Sequence, residues 1–227
     1  MNQMTGILKM HYKDKWFWLF MPWIILLSSF LVNLVIAFFL QEPMYTGGLV
    51  SIFIYMFVIG IIILVQTFPF ALGLSLRRID YFFGTSLMAV ITSAGFSLLL
   101  FLLSIIETKL TSGWGVQLHY FHLPYLNDGT VLEQLWIYFM ILLHMFYWGF
   151  VISSIFRRFG RSGLFIFAAV MFILYSVAGL LMTYYQWWVD VFNWLASHTA
   201  FELALWSMPL TVLYALLSFW MLRKSTV

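Results

Sequence analysis

The chain contains no cysteine, which excludes disulfides, thiolate metal sites and a cysteine nucleophile. Charge is almost as scarce: only 8% of the 227 residues are Asp, Glu, Lys or Arg, whereas 64% are hydrophobic. So few polar groups cannot cover a water-facing surface, and the solvent for most of this protein must be a bilayer. The phosphate-cradling loop Gly-x-x-x-x-Gly-Lys-Ser/Thr is excluded too, because no Gly-Lys dipeptide occurs. Gly-x-Ser-x-Gly and His-Glu-x-x-His are also missing, which disfavours an intramembrane hydrolase. No internal repeat, low-complexity tract or linker divides the sequence, so residues 1–227 read as one membrane domain.

The positive charges that remain are placed with a pattern. Lys9, Lys13 and Lys15 precede the first apolar run, and Arg77 and Arg78 separate the second from the third. Arg157, Arg158 and Arg161 separate the fourth from the fifth, and Arg223 and Lys224 follow the sixth. Only Lys109 falls on the other side. Lys and Arg in short loops stay on the cytoplasmic face, so the pattern predicts six crossings with both termini inside. The net charge of +3 gives no indication of nucleic acid, because topology and lipid headgroups account for the excess.

A hydrocarbon core of roughly 30 Å needs about 20 helical residues. The fold class is therefore all-α, with spans near Trp16 to Leu40, Leu49 to Leu76, Tyr81 to Ile106, Leu132 to Phe156, Gly163 to Tyr185 and Leu203 to Leu222. The first run is too long for a signal-peptide core and lacks a small-x-small cleavage site, so it reads as a retained helix. Before it, Ile7, Leu8, Met10 and Tyr12 alternate with lysines as in a short amphipathic helix lying in the inner interface; a frayed tail is the alternative.

On the outer side, residues 107–131 combine Gly113, Gly115, Pro124 and Asn127-Asp128-Gly129 with Trp114, Tyr120, Phe121 and Tyr125. Turn formers and ring-bearing residues together predict an interfacial loop with its aromatics at the headgroup level. Residues 186–202 carry Trp187, Trp188, Val189, Phe192, Trp194 and Leu195 at near-helical spacing, which predicts one or two short outer-side helices before the last span.

Polar residues inside the apolar runs are few. Asn33, Gln66 and His144 each interrupt a span; such groups either hydrogen-bond across helices or line a path for a polar substrate, and packing is the better reading. Ala89, Ser93 and Ser97 recur every four residues, forming one small-residue face of the third span. His119 and His122 are close enough in sequence to share a metal, but two ligands in a polar loop do not make a site. Pro69 with Gly73 can kink the second span just before Arg77.

The sharpest local signal is Ala71-Leu72-Gly73-Leu74-Ser75-Leu76-Arg77-Arg78-Ile79-Asp80-Tyr81-Phe82-Phe83-Gly84-Thr85. Charge at Arg77, Arg78 and Asp80 alternates with apolar Leu76, Ile79, Tyr81 and Phe82, the pattern of a short amphipathic helix on a membrane surface or against a partner. With Gly73, Ser75, Arg77, Arg78, Asp80, Phe82, Gly84 and Thr85 in this order, the segment resembles the loop between the second and third helices of bacterial ABC-type export permeases. The resemblance extends to the basic start, the six spans and the aromatic outer segment before the last span. It implies a cytoplasmic coupling helix, with Leu76, Arg77, Arg78, Ile79, Asp80 and Tyr81 meeting an ATPase subunit that binds ATP and Mg. The chain itself would then carry no cofactor and no catalytic residue. It would work in the bacterial cytoplasmic membrane beside a second permease, as a homodimer or heterodimer. Asn33, Gln66, Ser93 and His144 are the candidate path or interhelix residues. A second reading is a small-molecule-capturing subunit of an uptake system, which would bind its ligand as an isolated monomer; a third is an assembly factor.

Overall fold

The computed structural model describes residues 3–40, 42–127 and 129–224. In lipid, a backbone satisfies its N–H and C=O groups only within helices or a closed barrel. This chain takes the first course and, among the described residues, is all-α apart from one two-residue strand pair. Helix α1 runs Gln3–Lys13, α2 Met21–Phe39, α3 Val50–Gly73, α4 Arg78–Ile105, α5 Pro124–Asn127, α6 Val131–Tyr184, α7 Trp188–Ala196 and α8 Ala200–Arg223. A wider π-type turn at Trp16–Phe20 leads into α2. Strand β1, Met44–Tyr45, pairs in parallel with β2, Leu118–His119. Asp128, named in the expected turn, lies outside the described residues.

Among the described residues, 5 segments are long and apolar enough to cross a membrane: Trp16–Phe39, Gly47–Gly73, Arg78–Leu110, Val131–Tyr184 and Ala200–Arg223. The fourth and fifth runs expected from the sequence are joined in α6. Its 54 residues would measure about 80 Å if straight, more than twice the hydrocarbon thickness. Gly160 interrupts it, with φ 69° and ψ −164°, a conformation essentially reserved for glycine. His144 and Val151 before the break and Phe167 and Tyr175 after it line one groove. In a straight helix His144 and Tyr175 would stand about 46 Å apart, so the chain folds back at Gly160. Both α6 and α8 start at capping boxes, Thr130 with Glu133 and Thr199 with Glu202, each satisfying two backbone donors that a helix start leaves open.

The centre of the molecule is the pairing of α3 with α6; α4 and α8 pack on α6, and α2 packs on α3. Two glycines set the distance between α3 and α6. A Cβ added at Gly60 would run into the carbonyl oxygen of Phe146, and one added at Gly149 would run into that of Phe57. Each helix thus lays its backbone against the other's, which side chains larger than hydrogen would forbid.

Helix α1 is more than a surface float. It packs along α4, with Ile7 and His11 fully buried one turn apart. Ile7 covers Gly84, where a Cβ would fall 2.7 Å from its Cγ2. His11 meets Thr85 through Nε2 and Oγ1 at 2.9 Å, and its ring stands edge-on to Trp18 and Tyr81. The amphipathic helix expected from the sequence is present, but its buried stripe comes from this i, i+4 pair. The outer aromatics also differ from expectation. Tyr120 is fully buried and Phe121 is 1% exposed, packing on Phe30, and of the four only Tyr125 faces outward. Residues 107–127 form a compact cap that encloses Tyr120 and Phe121 instead of holding them outward. Helix α7 is a short helix before α8, as expected from the spacing of its apolar residues, with none of its residues buried.

Replacing Gly60 by Ala forces α3 and α6 apart and lowers stability by about 3 kcal/mol, the upper end for overpacking. Gly179→Ala, where an added Cβ meets nothing within 4 Å, is neutral or stabilising by up to about 1 kcal/mol. Thermal unfolding in detergent compares the two, and equal midpoints would contradict the glycine contact. A second test uses pH. Burial pushes the His11 imidazole down to about 4, so the undocked chain binds a proton that the docked one excludes. Docking of α1 is therefore strongest above pH 6.5 and weakens as pH falls towards 4, by up to about 3 kcal/mol. Protection factors of the α1 amides, which correct for the slower intrinsic exchange at acid pH, should fall between pH 7.5 and pH 5, and His11→Phe should flatten the response.

Candidate functional site

The basic clusters scattered along the sequence meet at one end of the fold. The guanidinium of Arg157 lies 5.2 Å from the ring centre of Phe68 on α3, and that of Arg158 lies 4.4 Å from Trp220 on α8. Lys224 reaches the same indole at 4.8 Å. The Gly160 break, the C-terminal ends of α3 and α8, the start of α4 and the lysine-bearing α1 are thereby neighbours. Rings supply Arg157, Arg158 and Lys224 with favourable electrostatics, since none of the three makes an ion pair among the described residues. Glu42, Glu107, Glu133, Asp190 and Glu202 belong to the opposite end, with Lys109 the one Lys or Arg there.

At the centre of the basic end is the connection between α3 and α4. The sequence motif is expected to fold as a separate helix here, and it does not: only Leu74 to Arg77 join the two helices. Ser75, at φ 58°, reverses the chain, Arg77 is extended, and Arg78 already begins α4. With four residues and one of them left-handed, no helical turn fits. Arg77 is exposed and pairs with Asp80 at 3.4 Å, a surface i, i+3 contact worth little on its own. Ile79 is exposed, whereas Leu76, Arg78 and Asp80 are half-buried. Tyr81 is a second departure, being fully buried instead of facing a partner. Its hydroxyl lies 2.7 Å from Thr67 Oγ1 on α3, and its ring packs on Phe68. Phe82, Gly84 and Thr85 are buried as well, the last two under α1. The projecting part of the motif is thus Gly73, Leu74, Ser75, Arg77 and Ile79, with Phe83 exposed further along α4, and Tyr81, Phe82, Gly84 and Thr85 are its anchor.

The four interior polar residues sit on four helices. Asn33 Nδ2 donates to the Ser29 carbonyl of its own helix at 2.8 Å, and Gln66 is exposed on α3. Ser93 is fully buried with Ala89 and Ser97 in the small-residue face of α4, and its hydroxyl has no partner among the described residues. His144 Nδ1 lies 2.8 Å from Thr211 Oγ1 on α8, which in turn donates to the Ser207 carbonyl at 2.9 Å. His144 lines the groove of about 830 Å³ between the halves of α6 and α8.

At the other end, sequence reading missed the group that organises the cap. Glu107 is fully buried, and its Oε2 accepts from Trp114 Nε1 at 2.8 Å and from the backbone N–H of Tyr120 and Phe121 at 3.0 and 2.9 Å. Its Oε1 accepts from His122 N at 2.9 Å. Nothing local marks this role, because the donors arrive only when the chain returns over the end of α4. His119 stacks on Tyr45, and His122 Nδ1 meets Ser104 Oγ at 3.1 Å, so the two imidazoles are used separately. Among the described residues no cluster of three His, Asp or Glu is placed to hold a metal ion. No family model, curated protein or solved structure matches the chain.

Glu107→Gln sets an amide N–H₂ against N–H donors that now meet oxygen, costing about 3 kcal/mol in the cap. Protease cutting within residues 111–123 should become faster by at least tenfold while α3 and α6 stay protected. Unchanged cutting would show that the cap is held by its aromatics alone.

Proposed function

We propose that this chain is the membrane-spanning permease subunit of an ABC-type exporter, driven by separate cytoplasmic ATPase subunits and paired with a second permease. In this reading the fold-back at Gly160 makes six crossings, and the basic end faces the cytoplasm of a bacterial cell. The observation that carries it is the construction of the α3–α4 connection. Leu74, Arg77 and Ile79 project, while Tyr81, Phe82, Gly84 and Thr85 are locked to three helices. Tyr81 ties α4 to α3 through Thr67, and Thr85 ties α4 to α1 through His11. Displacement of this turn by a docked ATPase would move α1, α3 and α4 together, and α3 bears directly on α6 at Gly60 and Gly149. An exposed membrane flank with no mechanical role would need no such anchoring.

ATP would act only through differential affinity: the closed ATPase pair must contact one arrangement of the turn better than another. The His144 groove gives some support to the substrate-capturing alternative, since it could hold a small molecule within one chain. The deciding experiment is purification of the tagged chain from its native membrane in mild detergent. A stoichiometric soluble ATPase is expected with the wild type. It should be lost in Arg77→Glu combined with Arg78→Glu, whose membrane insertion and thermal midpoint stay unchanged. Co-purification that survives the double reversal, or a lone chain carrying a tightly bound small molecule, would overturn the exporter reading.

A further inference from the structure

A lateral groove of about 790 Å³ runs along α4, bounded by α1 and the start of α2. Lys9 and Tyr12 stand at its mouth, Trp23 forms a wall, and Thr92, Gly95 and Leu99 lie along its floor. Three features point to an occupant. The mouth is cationic: Lys9 makes no ion pair among the described residues, and no acidic side chain lines the groove. The floor holds an unused donor. Thr67, Thr108, Thr183 and Thr211 return their hydroxyls to the carbonyl four residues back. Thr92, only 3% exposed, has no hydrogen-bond partner among the described residues. Beyond it the groove is apolar and stays open because of Gly95, where an added Cβ would meet nothing within 4 Å.

We infer that this groove binds one anionic phospholipid from the leaflet at the basic end. The depths agree with its parts. Thr92 is seven residues beyond the α1 contact at Thr85, about 10 Å along the helix. That passes the headgroup layer of roughly 5–8 Å and reaches the ester linkages, whose carbonyl oxygen accepts from the Thr92 hydroxyl once a turn about χ1 brings Oγ1, buried in the empty groove, to the groove surface. The phosphate sits at Lys9, where Lys13 and Lys15, with Asp14 between them, leave a net positive charge that adds to the attraction, and Tyr12 offers a hydroxyl at the mouth. An acyl chain continues along Trp23, Gly95 and Leu99. A neutral lipid would leave the Lys9 charge uncompensated, and a protein segment would have to enter from within the hydrocarbon. The inference needs only the membrane reading and not the transport one.

The test is native mass spectrometry of the full chain released from mixed micelles of phosphatidylglycerol and phosphatidylcholine. Wild type should retain one phosphatidylglycerol in preference to phosphatidylcholine. Lys9→Glu should weaken phosphatidylglycerol roughly tenfold or more and erase the preference. Thr92→Val, which removes only the hydroxyl, should weaken both lipids by a few-fold; a purely structural role for Thr92 would leave lipid retention unchanged. Gly95→Leu fills the floor where space is open, so the thermal midpoint should hold while retention is lost. Retention by Gly95→Leu at the wild-type level, no headgroup preference in the wild type, or a second copy of the chain cross-linked into the groove would each overturn the inference.

Discussion

Everything in this fold is hung on the contact between α3 and α6. Membrane helices gain nothing from leaving water once inserted, so their association depends on how closely two backbones approach. Gly60 and Gly149 let each helix press on a carbonyl of the other, at the middle of α3 and in the part of α6 before the Gly160 break. Phe146 and Phe150, on either side of that contact, then extend the seam: Phe146 stacks on Phe150 and meets Trp18, while Phe150 meets Phe82 of α4. The neighbours α2, α4 and α8 dock on a pair whose geometry is already fixed, and α1 docks on α4 in turn.

The two ends solve the problem of polar groups in opposite ways. At the acidic end, one carboxyl group is buried completely, and four donors converge on its two oxygens. This uses the full acceptor capacity of a carboxyl to close the return of the chain over α4. At the basic end, guanidinium and ammonium groups rest on Phe68 and Trp220 instead, and Arg157 Nε and Arg158 Nη1 are buried with no hydrogen-bond partner among the described residues. A bilayer with an anionic inner surface and a potential negative inside favours one orientation of such a molecule. In the proposed orientation the anchored turn would stand where a soluble partner can reach it.

Much of the architecture is legible because the bilayer imposes a length and a composition on each span. The apolar runs, the basic flanks and the short helix at Trp188–Ala196 need no tertiary information. Two helix starts were also written locally, as Thr130 with Glu133 and Thr199 with Glu202. What the sequence withholds is partnership. Tyr120 and Phe121 have the composition of a headgroup belt, yet they are buried because Glu107 captures their N–H groups from 13 and 14 residues away. His11 looks like one more polar residue on a basic helix until Thr85, 74 residues on, is beside it. The Gly84-Thr85 pair is the clearest case. Read locally, it closes a coupling motif; in the fold, it is the seat of α1.

That double role bears on how the molecule could be regulated. Helix α1 contributes His11 and Ile7 to the anchor of the α3–α4 turn, and on its other side contributes Lys9 and Tyr12 to the lipid groove. A helix of 11 residues cannot leave one surface and keep the other. If an anionic lipid and a cytoplasmic partner both favour the seated position of α1, linkage requires each to tighten the binding of the other by the same factor. A rigid α1, with no unseated state to suppress, would give no coupling however tightly either one bound. The lowered affinity of buried His11 for protons makes the unseated state the protonated one, so acid would loosen lipid and partner together.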